Sequence, residues 1–335
     1  MLPLNLLATG PSTLVTTCLI NKLSQSPRKY NTHTISLASL ASSNAADALF
    51  DETRFDAIYL ALPADHCTEA VKAFLDAAKG HRVPFVVFVG VLGAEDLPAD
   101  LAGRYLDIEA YLAKIRIPHT VLRVAPLQQD FMFLSSDFDQ RIPTIELPFS
   151  NGSVAPIHAR DVANVAAAIL DNPTAHISKT YTLTGPDLLT GVELAGRAAV
   201  GLDRPVGFRN CQPAKARNHL LARSKKSNKQ PAALLDNDAV EAALRMFDQV
   251  ASHGCEQVTT TVHALTHAPA THIEDFFKEH RKLFNARAPS SSTTNASSAQ
   301  SRATATADDG LEFVANAYVG SDGNGLGRYM IRSKL

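Results

Sequence analysis

The sequence predicts an α/β fold: a Rossmann-like doubly wound parallel sheet with a smaller, mostly helical C-terminal lobe. Three observations carry that prediction. Short apolar runs recur from Leu4 to Arg123, nearly continuous rather than alternating, as strands covered on both faces require. Segments of helical spacing separate them, the pattern of crossovers between parallel strands. The first run passes through a tight turn, Thr9-Gly10-Pro11-Ser12-Thr13, straight into a helix.

The elements follow in order. Leu4–Ala8 is the first strand, and Ser12–Ser24 the first helix. In a dinucleotide-binding turn, glycines permit the bend and let a pyrophosphate approach the helix N-terminus. Of the glycines expected at a spacing of three, Gly10 alone stands, with Leu7 and Thr13 in the other places. A side chain at Thr13 crowds the approach. Offsetting this, the hydroxyls of Ser12 and Thr13 and the free N–H groups of the helix can donate to a phosphate.

Further strands are expected at Thr34–Leu40, Ala57–Leu62, Phe85–Val89 and Thr120–Arg123, with helices at His66–Lys79 and Leu101–Ile115. Asp161–Leu170 reads as an apolar-rich helix capped by Asp161, and Thr180–Thr184 as a strand closed by Gly185-Pro186. Thr190 has the position of an N-cap, with Glu193 at capping-box spacing. Val206–Arg209 is a further strand, and Ala232–Val250 and Thr271–Phe284 are amphipathic helices. Gln212 to Gln230 shows no readable period.

The expected organisation is a dinucleotide-binding domain over residues 1–150 and a substrate lobe over 151–285, interleaved with the sheet edge. The lobe lies over the carboxyl edge of the sheet, where open α/β folds bind ligands. Residues 286–309 are Ser/Thr/Ala-rich with too few apolar side chains to offset ordering entropy, which predicts a disordered linker. In the tail, 310–335, Leu311–Val319 has strand character before a glycine-rich break.

Composition excludes several classes. A net charge of −1 and a pI near 6.9 provide no broad footprint for nucleic acid; the basic run Arg223–Lys229 reads as a solvated loop. Four scattered cysteines without a CxxC pair predict no disulfide framework and a reducing, cytoplasmic setting. No stretch approaches the ~20 apolar residues of a membrane helix. His263, His267 and His272 lack a convergent acid, so no metal is expected. The expected partner is a small molecule, and a homodimer is permitted but not required.

Taken in order, Thr9-Gly10, Phe55–Pro63, Phe85–Ala94, Thr120–Arg123, Pro156–Ala163 and Thr180–Pro186 resemble the NmrA-like family of atypical short-chain dehydrogenases. Within it they look most like the fungal ergot-alkaloid branch, the agroclavine and festuclavine dehydrogenase types. The likeness spans about residues 4–285. It implies NADP or NAD bound at Thr9, Gly10, Pro11, Ser12 and Thr13, beside Ala61, Leu62, Pro63 and Gly90. Members of such a family reduce small molecules, sense dinucleotides without turnover, or perform cyclisations.

Short-chain dehydrogenases use a serine, a tyrosine and a lysine four residues on. Here the serine position reads Gly90-Val91, and the partner of Tyr105 is Glu109. A carboxylate raises a neighbouring phenol's pKa rather than lowering it, so carbonyl reduction by the standard route is disfavoured. The second strand ends without the arginine or acid that selects between NADP and NAD, which leaves both open. The resemblance makes Gln128, Gln129 and Phe131 pocket-lining residues. Tyr105, Asp130 and His158 are the candidate acids and bases, with capping as the competing role for Asp130. The leading expectation is an NAD(P)H-dependent reductase of an iminium or activated alkene in fungal specialised-metabolite biosynthesis. A non-redox cyclase or isomerase, and a dinucleotide-sensing regulator, are the alternatives.

Overall fold

A computed structural model describes residues 3–10, 13–36, 43–62, 67–96, 99–132, 143–226 and 237–284. Leu4–Thr9 (β1), Tyr30–Ile35 (β2), Ala57–Ala61 (β3), Val86–Val91 (β4) and His119–Val124 (β5) form one parallel sheet. Its helices are Leu14–Ser24 (α1), Ser43–Glu52 (α2), Thr68–Gly80 (α3) and Ala99–Ile115 (α4). After Thr144–Leu147 (β6) and Ser153–Val154 (β7), the helix Ala159–Asp171 (α5) returns the chain to Lys179–Leu183 (β8), which pairs with β5. The strand order is β2-β1-β3-β4-β5-β8.

Alternating side chains send each strand's apolar residues to both faces, and each face has its own core. Leu19 and Val15 of α1 and Val162, Val165 and Ile169 of α5 pack on Leu6, Tyr59, Val87 and Leu122. On the opposite face, Phe50 of α2, Phe74 of α3 and Leu112 of α4 cover Leu7, Ile58, Phe88 and Val121. This is the predicted doubly wound architecture.

The lobe contains Leu189–Thr190 (β9), Gly191–Leu202 (α6), Gly207–Asn210 (β10), Pro213–Lys226 (α7) and Asn237–Ala251 (α8). It closes with Thr261–Thr266 (α9), Ile273–Glu279 (α10) and Arg281–Phe284 (α11). β10 pairs with β6, and β7 with β9. Phe149, Phe208, Phe247, Phe276 and Phe277 fill a third core. Thr190 caps α6 with the predicted reciprocal pair: its hydroxyl accepts the Glu193 N–H, and the Glu193 carboxylate accepts the Thr190 N–H at 2.9 Å.

Several expectations are corrected. β2 begins four residues before the predicted Thr34. Its alternating burial identifies an edge strand whose polar positions hide it from a search for apolar runs. α2 and α7 have no counterpart in the sequence reading. Arg223–Lys226 of the basic run ends α7 instead of lying in a loop. The helix expected over Thr271–Phe284 is two short helices, with His280 between them. Asp161 does not cap α5; His158 does. The predicted linker and tail, 286–335, lie outside the described residues. Among the described residues no helix is long and apolar enough to cross a membrane.

Candidate dinucleotide and substrate site

The sheet order creates a switch point. From β1 the chain crosses to β2 on one side, and from β2 it crosses back to β3 on the other. The carboxyl ends of β1 and β3 therefore diverge into the crevice where open α/β sheets take their ligands. Gly10 lies at that end with φ +62°, and a Cβ there would stand 2.8 Å from Ala61 O. Glycine is the residue that meets both constraints. Thr9 is fully buried, and its hydroxyl donates to Ala61 O at 2.9 Å and accepts the Ala61 N–H at 3.0 Å. It fastens the two strand ends together.

Thr13, which occupies a glycine place, is the N-cap of α1 but makes no side-chain cap. Its hydroxyl turns back to Gly10 O at 2.8 Å and also lies 2.8 Å from Thr16 Oγ1. The first-turn N–H groups of α1, at Leu14, Val15 and Thr16, have no intrahelical acceptor. Ala61 and Leu62 are buried beside this turn. Pro11, Ser12 and Pro63 lie outside the described residues.

Within β4, which runs past the predicted Val89, Gly90 leaves room for the Glu109 carboxylate, whose Oε1 would stand 3.2 Å from an added Cβ. Glu109 is not the lone anion that its position beside Tyr105 implied. Arg123 of β5 donates to it from Nη2 at 2.8 Å and to Glu95 from Nη1 at 2.7 Å. Tyr105 packs half-buried against the core shared by α2, α3 and α4. The loop after β4 is held from the lobe as well: Gln249 of α8 donates to Leu92 O and Gly93 O.

After β5, residues 127–131 turn inward. Gln128 is fully buried and donates to Pro156 O at 3.1 Å and Thr271 O at 2.7 Å. The Gln129 amide oxygen accepts the Ala159 N–H, and its nitrogen lies 2.7 Å from His158 Nε2. Phe131 is fully buried in the lobe core. Asp130 alone of these is exposed. Surrounding protein pushes its carboxyl up to about 6, against the Leu127 N–H that it accepts at 2.9 Å. The carboxyl is reached by solvent yet crowded by protein on its other sides, and that loss of hydration is what raises it.

His158 is 3% exposed, and its Nδ1 accepts the Arg160 N–H at 3.0 Å. Burial first, then the charge of Arg160, lowers its pKa to about 4. The ring is neutral near pH 7, and because Nδ1 accepts, its one proton sits on Nε2, the nitrogen that faces the Gln129 amide. Asp161 accepts from Thr271 N at 2.7 Å and Thr271 Oγ1 at 3.2 Å, and burial pushes its carboxyl up. His272, for which the sequence shows no convergent acid, has two: its Nδ1 lies 2.7 Å from Asp187, and Glu274 converges with them. The Arg197 guanidinium sits among them, 2.8 Å from Glu274 and 3.6 Å from Asp187.

Sequence reasoning passed over Arg123, Glu95 and Gln249. An arginine inside an apolar strand was a usable signal, because a half-buried cation needs a counter-ion. Gln249 had none, since nothing local marks a glutamine that serves a loop 156 residues away.

The switch-point crevice, the positive-φ glycine and the sheet order define a Rossmann-type fold of the dinucleotide-binding kind. No family model matches the chain. It is similar to an NAD(P)H azoreductase of Xenophilus azovorans, 27% identical over 216 residues, 64% of this chain and 71% of the relative. Among solved structures it is similar to triphenylmethane reductase of Citrobacter sp. complexed with NADP(H). There the TM-score is 0.68 at 16% identity, over 83% of this chain and 99% of that one. It is also similar to NmrA, a negative transcriptional regulator, with a TM-score of 0.60 at 14% identity over 83% and 95% of the two chains. At these identities the two solved structures show a shared fold, in agreement with the sheet order described above.

Proposed function

We propose that the protein is an NAD(P)H-dependent reductase of a small, electron-poor, conjugated acceptor. The observation that carries this reading is the crevice between β1 and β3, kept open by Gly10 in a conformation and space that admit no side chain. In this reading the α1 N-terminus and the turn Thr9, Gly10, Pro11, Ser12 and Thr13 hold the pyrophosphate. Ala61, Leu62, Pro63 and Gly90 border the rest of the dinucleotide. Turning the Thr13 hydroxyl back on Gly10 O gives that residue a place inside the turn.

Bound reduced nicotinamide supplies a hydride. An iminium acceptor needs nothing more, and an activated alkene needs one proton at its other carbon. Asp130 fits that need: it has solvent access at the carboxyl edge, with a pKa raised toward neutrality. Gln128, Gln129 and Phe131 shape the loop that presents it. His158 braces α5 behind the loop, and Tyr105 forms a wall. Support comes from the azoreductase and the triphenylmethane reductase, whose names point to conjugated acceptors rather than simple ketones. An iminium or activated alkene of specialised metabolism is the acceptor class favoured, on the sequence resemblance to the ergot-alkaloid reductases.

Titration with NADPH and NADH, followed by nucleotide fluorescence and thermal stability together, tests the reading. Ligand at a hundredfold over Kd adds about 2.7 kcal/mol of stability. Micromolar binding with that shift is expected, and an unchanged melting temperature at millimolar nucleotide rejects the reading. With an azo dye or a quinone as acceptor, activity should fall as pH rises through about 6. Asp130→Asn should remove that limb; a limb that persists in the variant excludes Asp130 as donor.

A further inference from the structure

We infer that Gln249, on helix α8 of the lobe, is a positioning residue for the nicotinamide end of the site; this rests on the reductase reading above. The adenosine ribose of a dinucleotide in this fold lies toward the end of the second strand. With the pyrophosphate at Gly10, the nicotinamide half therefore extends the other way, over the carboxyl ends of β3, β4 and β5. The loop that follows β4 borders that space.

Gln249 fixes this loop. Its amide nitrogen donates to two consecutive carbonyls, Leu92 O at 2.6 Å and Gly93 O at 2.7 Å, and the side chain is 4% exposed. Both amide hydrogens are committed to carbonyls the sheet leaves unpaired, a task for which a carboxylate or an apolar side chain has no donor. Gly93 is shaped for the contact. Its φ is +67°, and a Cβ there would run into both the Gln249 amide and Gly254 O. Two residues on, Glu95 binds Arg123, which also holds Glu109. One loop is thus pinned by the lobe at residues 92–93 and by the sheet at residue 95. The distance between whatever the lobe holds and whatever the sheet edge holds passes through Gln249.

The test uses the full-length protein and NADPH itself. Gln249→Met keeps the side-chain length and removes both donors. The expected result separates two readouts: NADPH affinity within about threefold of wild type, because the pyrophosphate turn is untouched, but loss of most of the change in nicotinamide emission on binding. Turnover of an azo dye should fall about tenfold or more, with less effect on the KM for NADPH. A merely structural glutamine lowers the melting temperature but leaves the emission of the folded complex unchanged, and that result overturns the inference. Should the variant not fold, hydrogen exchange on the wild type decides. Amides of residues 92–96 and 245–250 gain protection together on NADPH binding; a loop that exchanges as before overturns the inference. Absence of NADPH binding by the wild type overturns the reductase reading first, which keeps the two failures distinct.

Discussion

Gly10 and Thr13 show at the residue scale how far one position in a turn can be read. Gly10 was legible because its neighbours form a strand, a bend and a helix; its φ of +62° and its approach to Ala61 O give the reason. Gly10→Ala should cost about 1–3 kcal/mol from the left-handed strain alone. Since the added methyl also displaces the β3 end, NADPH affinity should fall with it. Denaturant unfolding and nucleotide titration check this, and an alanine tolerated in both would mean that the turn is plastic. Thr13 was read as an obstacle, and its inward bond to Gly10 O could not be foreseen from spacing. Thr13→Gly should cost about 1 kcal/mol of stability by deleting that bond, while NADPH binding is kept or tightened. Weaker binding would instead make the threonine a ligand of the phosphate.

Secondary-structure elements were legible in proportion to how fully they are buried. β3, β4 and β5 are covered on both faces, so their continuous apolar runs named them with small errors at the ends. β2 lies at the sheet edge with no fully buried position and was misplaced accordingly. α7 begins at Pro213, which suits a first helical position, yet its polar composition masks its period. α6 was announced by its cap, because a capping box depends only on residues three apart and survives any tertiary context. Thr190→Ala should therefore destabilise the lobe by about 1 kcal/mol and leave NADPH affinity unchanged. Paired melting curves and titrations examine this; a change in affinity without a change in stability would place Thr190 in the site.

At the scale of the whole molecule, the candidate site is a seam between sheet and lobe, and seams are written in long-range bonds that one sequence does not display. Gln128 reaches Pro156 and Thr271, Asp161 reaches Thr271, and His158 caps α5 beside Gln129. The sequence offered Gln128 and Gln129 as pocket residues, His158 as an acid or base and Asp161 as a helix cap. In the structure most face inward because the loop after β5 must satisfy its polar groups without water.

This burial makes the seam sensitive to acid. His158 has a folded pKa of about 4, below its ordinary 6.5. Between those values the unfolded chain binds the proton and the native one does not, so stability rises with pH. The stabilisation belonging to neutral His158 is complete above about 6.5 and is lost as pH falls toward 4, a swing of about 3 kcal/mol. Asp130 and Asp161 are shifted upward and act with the opposite sign, binding protons more tightly in the native state. The total pH profile therefore mixes opposing contributions, and a difference between two proteins isolates one of them. Asn is among the best N-cap residues, so His158→Asn retains an acceptor for the α5 N–H without a titrating ring. Urea unfolding of both proteins at intervals from pH 7.5 to 4 should show the wild type losing ground steadily to the variant below pH 6.5. Parallel curves across that range would show that the imidazole is charged or solvated in the native state, and that the loop it braces opens on its own.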